Sequence, residues 1–253
     1  MTTFHPHRTV WTHDQSARFW DAMSSQSDLR NRYFSAMVGG ALIDVVKSYD
    51  IGLSGRVLDY GCGVGDLLAA LLRRGLRCEG ADFSPESVAG VRRRFESEPM
   101  FGGATLLDGT KSALAEETYD VVFFVETIEH LLDDDMAAAS SELHRIIKLG
   151  GAIVVTTPNE DNLAAGEVVC PECGCIFHRM QHVRSWTRSS LEQHMQMSGF
   201  DKLRCDTLYL RSTLIGTKAF TAANRLVRRK APHLLYIGKK SLADQPSAPI
   251  DTS

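Results

Sequence analysis

Arg56-Val-Leu-Asp-Tyr-Gly-Cys-Gly-Val-Gly-Asp66 is an apolar, strand-like run that breaks into glycines at 61, 63 and 65 and then opens a helical pattern from Leu67 to Arg74. Glycine suits such a place because the backbone must turn sharply and let a ligand approach without a Cβ in its way, while the free N–H groups of the next helix face the same spot. A second short strand, Arg77 to Ala81, leads to Asp82, seventeen residues after Gly65, an acid placed to accept both hydroxyls of a ribose. Asp66 stands where a nicotinamide-binding fingerprint would carry its third glycine, which argues against NAD.

Outward from this unit, strand and helix patterns alternate. Strand 56–60, helix 66–74, strand 77–81, helix 85–97, a strand near 104–107, strand 120–125, helix 134–147, strand 152–156 and helix 187–198 form a βαβ series. Such a series predicts an α/β fold with a mostly parallel sheet. A helical pattern over 28–50 leads into it, and Gly150-Gly151 is expected to close one helix and start the next strand. Residues 1–27 are polar and His-rich with Phe4, Trp11, Phe19 and Trp20, and are expected to form an arm or lid. The tail 241–253, with two prolines and small polar residues, is expected to be disordered.

The 253 residues fit one domain (28–240) with insertions. A net charge of −3 gives no global attraction to nucleic acid or an anionic membrane. The stretch 218–230 is locally basic, and reads either as a solvated helix or as a platform for an anionic substrate or membrane surface. No run of eighteen apolar residues and no apolar signal core occurs, so the expected compartment is the cytoplasm, without integral membrane contact.

Tyr119-Asp-Val-Val-Phe-Phe-Val-Glu-Thr-Ile-Glu-His-Leu131 reads as a buried strand that ends in Glu126, Glu129 and His130. Strand ends on the carboxyl side of a parallel sheet border the ligand crevice. If the following turn is helical, the three residues share one face. Two carboxylates and an imidazole suit Mg²⁺, Mn²⁺ or Zn²⁺. His130 could instead be a metal-free general base, and the plainer alternative is a helix cap or ion pair.

The glycine segment, with Asp59 two residues before Gly61, resembles motif I of the class I S-adenosylmethionine (SAM) methyltransferases, and Ala81-Asp-Phe-Ser-Pro85 resembles their motif II. Glu126-Thr-Ile-Glu129-His130 resembles the Glu-x-x-Glu-His signature of the ubiquinone-biosynthesis O-methyltransferases and of the small-RNA 3′-terminal 2′-O-methyltransferases. That resemblance implies a Rossmann-like seven-stranded, mostly parallel sheet with helices on both faces, with 202–210 and 234–237 as its closing antiparallel strands. It implies SAM contacts at Arg30, Asp59, Gly61, Gly63, Gly65, Asp82, Phe83, Asp108, Gly109 and Val125. Thr157-Pro-Asn159 and Gln181-His-Val-Arg-Ser-Trp-Thr-Arg188 resemble segments of the RNA family, and make His182 a fourth metal ligand beside Glu126, Glu129 and His130. The expected activity is metal-assisted O-methylation of a sugar, glycan or small-metabolite hydroxyl. RNA 2′-O-methylation, quinone or polyphenol O-methylation and a non-catalytic SAM-binding role are the alternatives. Acceptor identity and oligomeric state are not written in these motifs.

Neither family requires the insert at 166–184, Cys170-Pro-Glu-Cys173-Gly-Cys175-Ile-Phe-His178-Arg-Met-Gln-His182. Cys-x2-Cys-x4-His-x3-His can supply four tetrahedral zinc ligands, and so can Cys170, Cys173, Cys175 and His178, which would leave His182 to the other site. A packed loop and a redox role are the alternatives.

Overall fold

The computed structural model describes residues 4–26, 34–108, 112–211, 213–227 and 230–241. The chain runs through β1 (His7–Arg8), α1 (His13–Ser25), α2 (Phe34–Lys47), β2 (Val57–Tyr60), α3 (Asp66–Leu72), β3 (Cys78–Asp82), α4 (Pro85–Phe95), β4 (Phe101–Leu106) and β5 (Tyr119–Val125). It continues with α5 (Asp133–Ile146), β6 (Ile147–Pro158), a 3-10 turn (Leu163–Gly166), β7 (Glu167–Val169), β8 (Cys175–His178), α6 (Arg188–Met197), β9 (Phe200–Leu208), α7 (Leu214–Leu226) and β10 (His233–Lys240).

Seven strands form the central sheet in the order β4-β3-β2-β5-β6-β10-β9. β2 through β6 pair in parallel, and β10 runs antiparallel to both β6 and β9. Only β10 is therefore reversed, whereas the sequence suggested that both closing strands were. The sheet is apolar on both faces because both are covered. Val57, Val121, Phe123 and Val154 pack with Leu42, Leu68 and Val91 of α2, α3 and α4 on one side. Leu58, Val122, Phe124 and Ile153 pack with Leu143 and Leu191 of α5 and α6 on the other. Full burial of one such Leu or Phe is worth about 1.5–3 kcal/mol.

Ser84 caps α4, accepting the N–H of Ser87 at 3.1 Å, and Pro85 occupies the first helical position. The strand expected from 152 starts earlier, at Ile147, and a register shift between Tyr119↔Ile147 and Val121↔Ala152 takes up residues 148–151. Gly150, at φ +71°, thus lies within the strand's irregular start instead of ending a helix.

A second sheet, β1-β8-β7, joins the chain's beginning to the cysteine-rich insert. Of the expected tail, Ser241 still donates its N–H to the Gly199 carbonyl at 3.1 Å, and 242–253 lie outside the described residues. Among the described residues no helix is long and apolar enough to cross a membrane.

Candidate active site

The carboxyl ends of β2, β3 and β5 open on one cavity of about 1310 Å³. Gly63, at φ +49°, has open space where a Cβ would project, so a ligand can lie directly on its backbone. Its N–H donates to Asp82 Oδ2 at 2.8 Å, and Ser84 N–H donates to Oδ1 at 2.9 Å, which fixes the carboxylate at the cavity wall. Burial raises the Asp82 carboxyl above its ordinary value, against these two backbone bonds. Phe83, Leu107, Asp108, Gly61 and Val125 line the same cavity. Arg30 and Gly109, expected to touch a cofactor, lie outside the described residues.

Two expected cofactor contacts do not reach the cavity. Gly65 faces helix α4, where a Cβ would stand 2.8 Å from the Phe95 ring and 3.0 Å from Val91, so this glycine serves helix packing. Asp59 is buried behind the loop, where desolvation, helped by Asp82 and Asp66, pushes its pKa to about 8. Between an ordinary carboxylate value and about 8, the folded chain holds a proton there that the unfolded chain does not. Stability must therefore fall as pH rises through that window. In urea titrations, Asp59→Asn is expected to lose less stability between pH 5 and pH 8 than the wild type. An unchanged pH slope would reject the assignment.

Beside the glycine loop, where a Cβ on Gly61 would stand 2.6 Å from Thr127 Oγ1, Glu126 follows β5 at φ +46° and Thr127 to His130 form a turn, not the helix anticipated. His130 N–H closes that turn on the Thr127 carbonyl at 3.0 Å. Glu129 is buried, with Oε2 accepting the Thr157 hydroxyl at 3.0 Å and Oε1 3.8 Å from His130 Nε2. His182 enters beside them, its ring 5.0 Å from that of His130. Its Nδ1 lies 2.6 Å from Asp161 Oδ2, a carboxylate contact that fixes ring orientation. The donor atoms of Glu129, His130 and His182 all lie within 4.8 Å of one another.

His178 was expected with the cysteines, but it stacks on His182 at 4.3 Å and stands 3.8 Å from Asp161. The strand β8 that carries it runs from Cys175 at one end to this cluster at the other, so the two ends serve different places. Cys170, Cys173 and Cys175 form a separate group whose sulfurs lie within 4.8 Å of one another.

Burial raises Glu126 to about 7, and raises Glu129 well above the usual carboxylate range with Glu126 adding to it. The imidazoles move the other way. Burial, then His182, lowers His130 to about 3, and burial lowers His233 to about 4. Glu126 Oε1 and Glu129 Oε1 have no hydrogen-bond partner among the described residues. Two buried acids with orphaned oxygens beside neutral imidazoles form a donor set that fits a divalent cation, since a cation offsets the cost of burying the charges.

Helix α1 covers the cavity. Trp20 donates its indole N–H to Gln181 Oε1 at 2.7 Å and packs edge-on at 4.7 Å against His130. The next residue, Asp21, accepts the Ser84 hydroxyl at 2.5 Å, and one turn after Trp20 Ser24 meets Ser87 at 3.2 Å.

Sequence reasoning missed Asp161, Gln181, His233 and the role of Trp20. Asp161 follows β6 by three residues, and an acid just past the carboxyl end of a parallel strand was a usable signal. Gln181 and Trp20 carried none, because their meeting joins positions 161 residues apart.

The family model described as a methyltransferase domain matches residues 31–204. The chain is 28% identical over 161 residues to a ubiquinone biosynthesis O-methyltransferase of Alkalilimnicola ehrlichii, covering 62% of this chain and 61% of that protein. It is 26% identical over 160 residues to a demethylmenaquinone methyltransferase of Chlorobaculum parvum, covering 58% of this chain and 63% of that protein. The matched region thus spans about three fifths of those two relatives. Among solved structures, the Burkholderia thailandensis 1,6-didemethyltoxoflavin-N1-methyltransferase with bound S-adenosylhomocysteine superposes with a TM-score of 0.60 at 16% identity, covering 93% of this chain and 94% of that one. That likeness is one of fold.

Proposed function

The chain belongs to the class I SAM-dependent methyltransferases, and from that premise we propose that it methylates a hydroxyl group of a sugar, glycan or small metabolite with the help of a divalent cation. The observation that carries this reading is the convergence of Glu129, His130 and His182, with Glu126 lining the same cavity as the glycine loop. A volume of about 1310 Å³ exceeds the usual range for a single small ligand and leaves room for an acceptor beside the cofactor.

SAM supplies a sulfonium-activated methyl group, and its acceptor must be a better nucleophile than a neutral alcohol. A cation held by Glu126, Glu129, His130 and His182 would lower the pKa of an acceptor hydroxyl. The chain's own groups do the rest. Gly63 and Asp82 hold the nucleoside end, and Phe83 offers a ring face to its base. Asp161 sets the orientation of His182. His130, kept neutral by burial, keeps its one free ring lone pair available to hold the cation. Trp20 and the rest of α1 keep bulk water off the reacting atoms.

A screen of hydroxyl acceptors with labelled SAM tests the reading. Label is expected in an alkali-stable ether, with transfer abolished by chelator and restored by Mg²⁺, Mn²⁺ or Zn²⁺. Transfer to nitrogen or carbon, or full activity in metal-free buffer, would reject it.

A second reading, a quinone or polyphenol acceptor, is favoured by exposed Ile215, Leu226 and Val227 on or just after α7, beside the Lys218 and Arg225 cations. Arg228 and Arg229 of the same basic stretch lie outside the described residues. Retention on anionic vesicles carrying a quinone would support this alternative.

A further inference from the structure

Cys170, Cys173 and Cys175 come from one tight turn, closed by the Cys175 carbonyl accepting the Cys170 N–H and the Cys170 carbonyl accepting the Gly174 N–H, both at 2.9 Å. Their sulfurs converge, and all three are free thiols. Sulfurs about 3.8 Å apart are what a tetrahedral zinc with bonds of about 2.3 Å demands. The Cys173 and Cys175 sulfurs are 3.3 Å apart, too far for a disulfide, which needs about 2.05 Å, and close to the spacing of ligands on one ion.

The beginning of the chain is built onto this turn. His7 N–H donates to the Gly174 carbonyl at 3.0 Å, and Thr9 N–H to the Ile176 carbonyl at 2.9 Å. Arg8 pairs with Glu167 on β7. In the parallel ladder His7 stands directly beside Cys175, so the two side chains leave the same face, and both line one small cavity with Cys173. From there a row of aromatic contacts leads inward. Phe177 meets Trp11 at 6.1 Å, Trp11 meets Phe19 at 5.6 Å, Phe19 meets Trp20 at 5.3 Å, and Trp20 meets His130 at 4.7 Å.

We propose that Cys170, Cys173 and Cys175 bind a zinc ion, with His7 taking the fourth position, and that this ion fastens the N-terminal arm over the active site. Three thiolates and one imidazole make a closed structural set. Zinc there costs no redox chemistry and needs no acceptor, so it stands independently of the reading of the active site. The ion joins the arm to the insert, and the aromatic row passes that attachment on to Trp20.

The full-length protein, purified in reductant with zinc supplied, is expected to release about one zinc per chain on titration with a mercurial thiol reagent. The same release is expected from the His130→Ala/His182→Ala double variant, which separates this ion from any metal at the active site. Cys173→Ser should lose that zinc, and His7→Ala should hold it more weakly. Trypsin should then cut after Arg8 or Arg18 severalfold faster in both variants. Zinc titration of metal-stripped wild type, followed by protection of its thiols from alkylation, keeps the test valid if Cys173→Ser folds poorly. No thiol-released zinc, a Cys173–Cys175 disulfide in its place, or an arm equally protected with and without zinc would overturn the proposal. Zinc held equally well by His7→Ala would overturn the role of His7.

Discussion

Glu129→Gln is expected to lower turnover by about 10²–10⁴-fold, the range lost when a positioned proton-transfer or charge-bearing group is removed. SAM affinity should stay within about twofold, because the Glu129 carboxylate contacts Thr157 and His130 and takes no part in the Gly63–Asp82–Ser84 hydrogen bonds. The substitution keeps the volume and can still accept the Thr157 hydroxyl, so packing survives. It also removes one of two adjacent buried acids whose outer oxygens have no partner. Folding stability should therefore rise, which shifts Tm upward. A variant that is more stable, binds SAM and does not turn over would place Glu129 in the chemistry. A variant with at least a tenth of wild-type turnover would remove it.

Asp82→Ala carries the second large effect, on the other half of the cavity. Hydrogen bonds to a charged group are worth about 1.5–3 kcal/mol each, and a carboxylate receiving two ribose hydroxyls makes two of them. At least about 3 kcal/mol, or a hundredfold and more in Kd, is expected to be lost in calorimetric titration with SAM or S-adenosylhomocysteine. The change also releases the Gly63 and Ser84 N–H groups that the carboxylate now holds. Asp82→Asn keeps the shape and should lose less. Affinity within about fivefold of wild type in Asp82→Ala would dissociate this acid from the cofactor.

The sheet was readable because its strands are buried on both faces and appear as unbroken apolar runs, such as Val121 to Val125. The direction of β9 was not, since hydrophobic runs carry no sign of polarity and β9 alternates burial too irregularly to fix its partners. The glycine loop announced a ligand site, but the three glycines look alike in sequence. Only their φ values and neighbours separate Gly63, which opens to the cavity, from Gly65, which meets Phe95. Glu129 and His130 were legible from a local signature and His182 from a second segment; the structure brings these three together, while Glu126 lines the same cavity outside their group. Gln181 and Trp20 were hidden because folding alone brings residues from the insert and from α1 to that place, whereas Asp161, just past the end of β6, carried a signal that went unused. His178 misled for a related reason. Its spacing from Cys173 suits zinc, but β8 is extended, and four residues of strand carry it well clear of the thiols.

Helix α1 touches both halves of the cavity within a few residues, through Asp21 and Ser24 on the Ser84–Ser87 side and through Trp20 on the His130 side. One stiff rod cannot lift off one compartment and stay seated on the other. Traffic of donor and recipient is thereby geared together: whatever dislodges the indole to leave also unlatches the nucleoside chamber, so spent donor and finished product should depart in the same excursion.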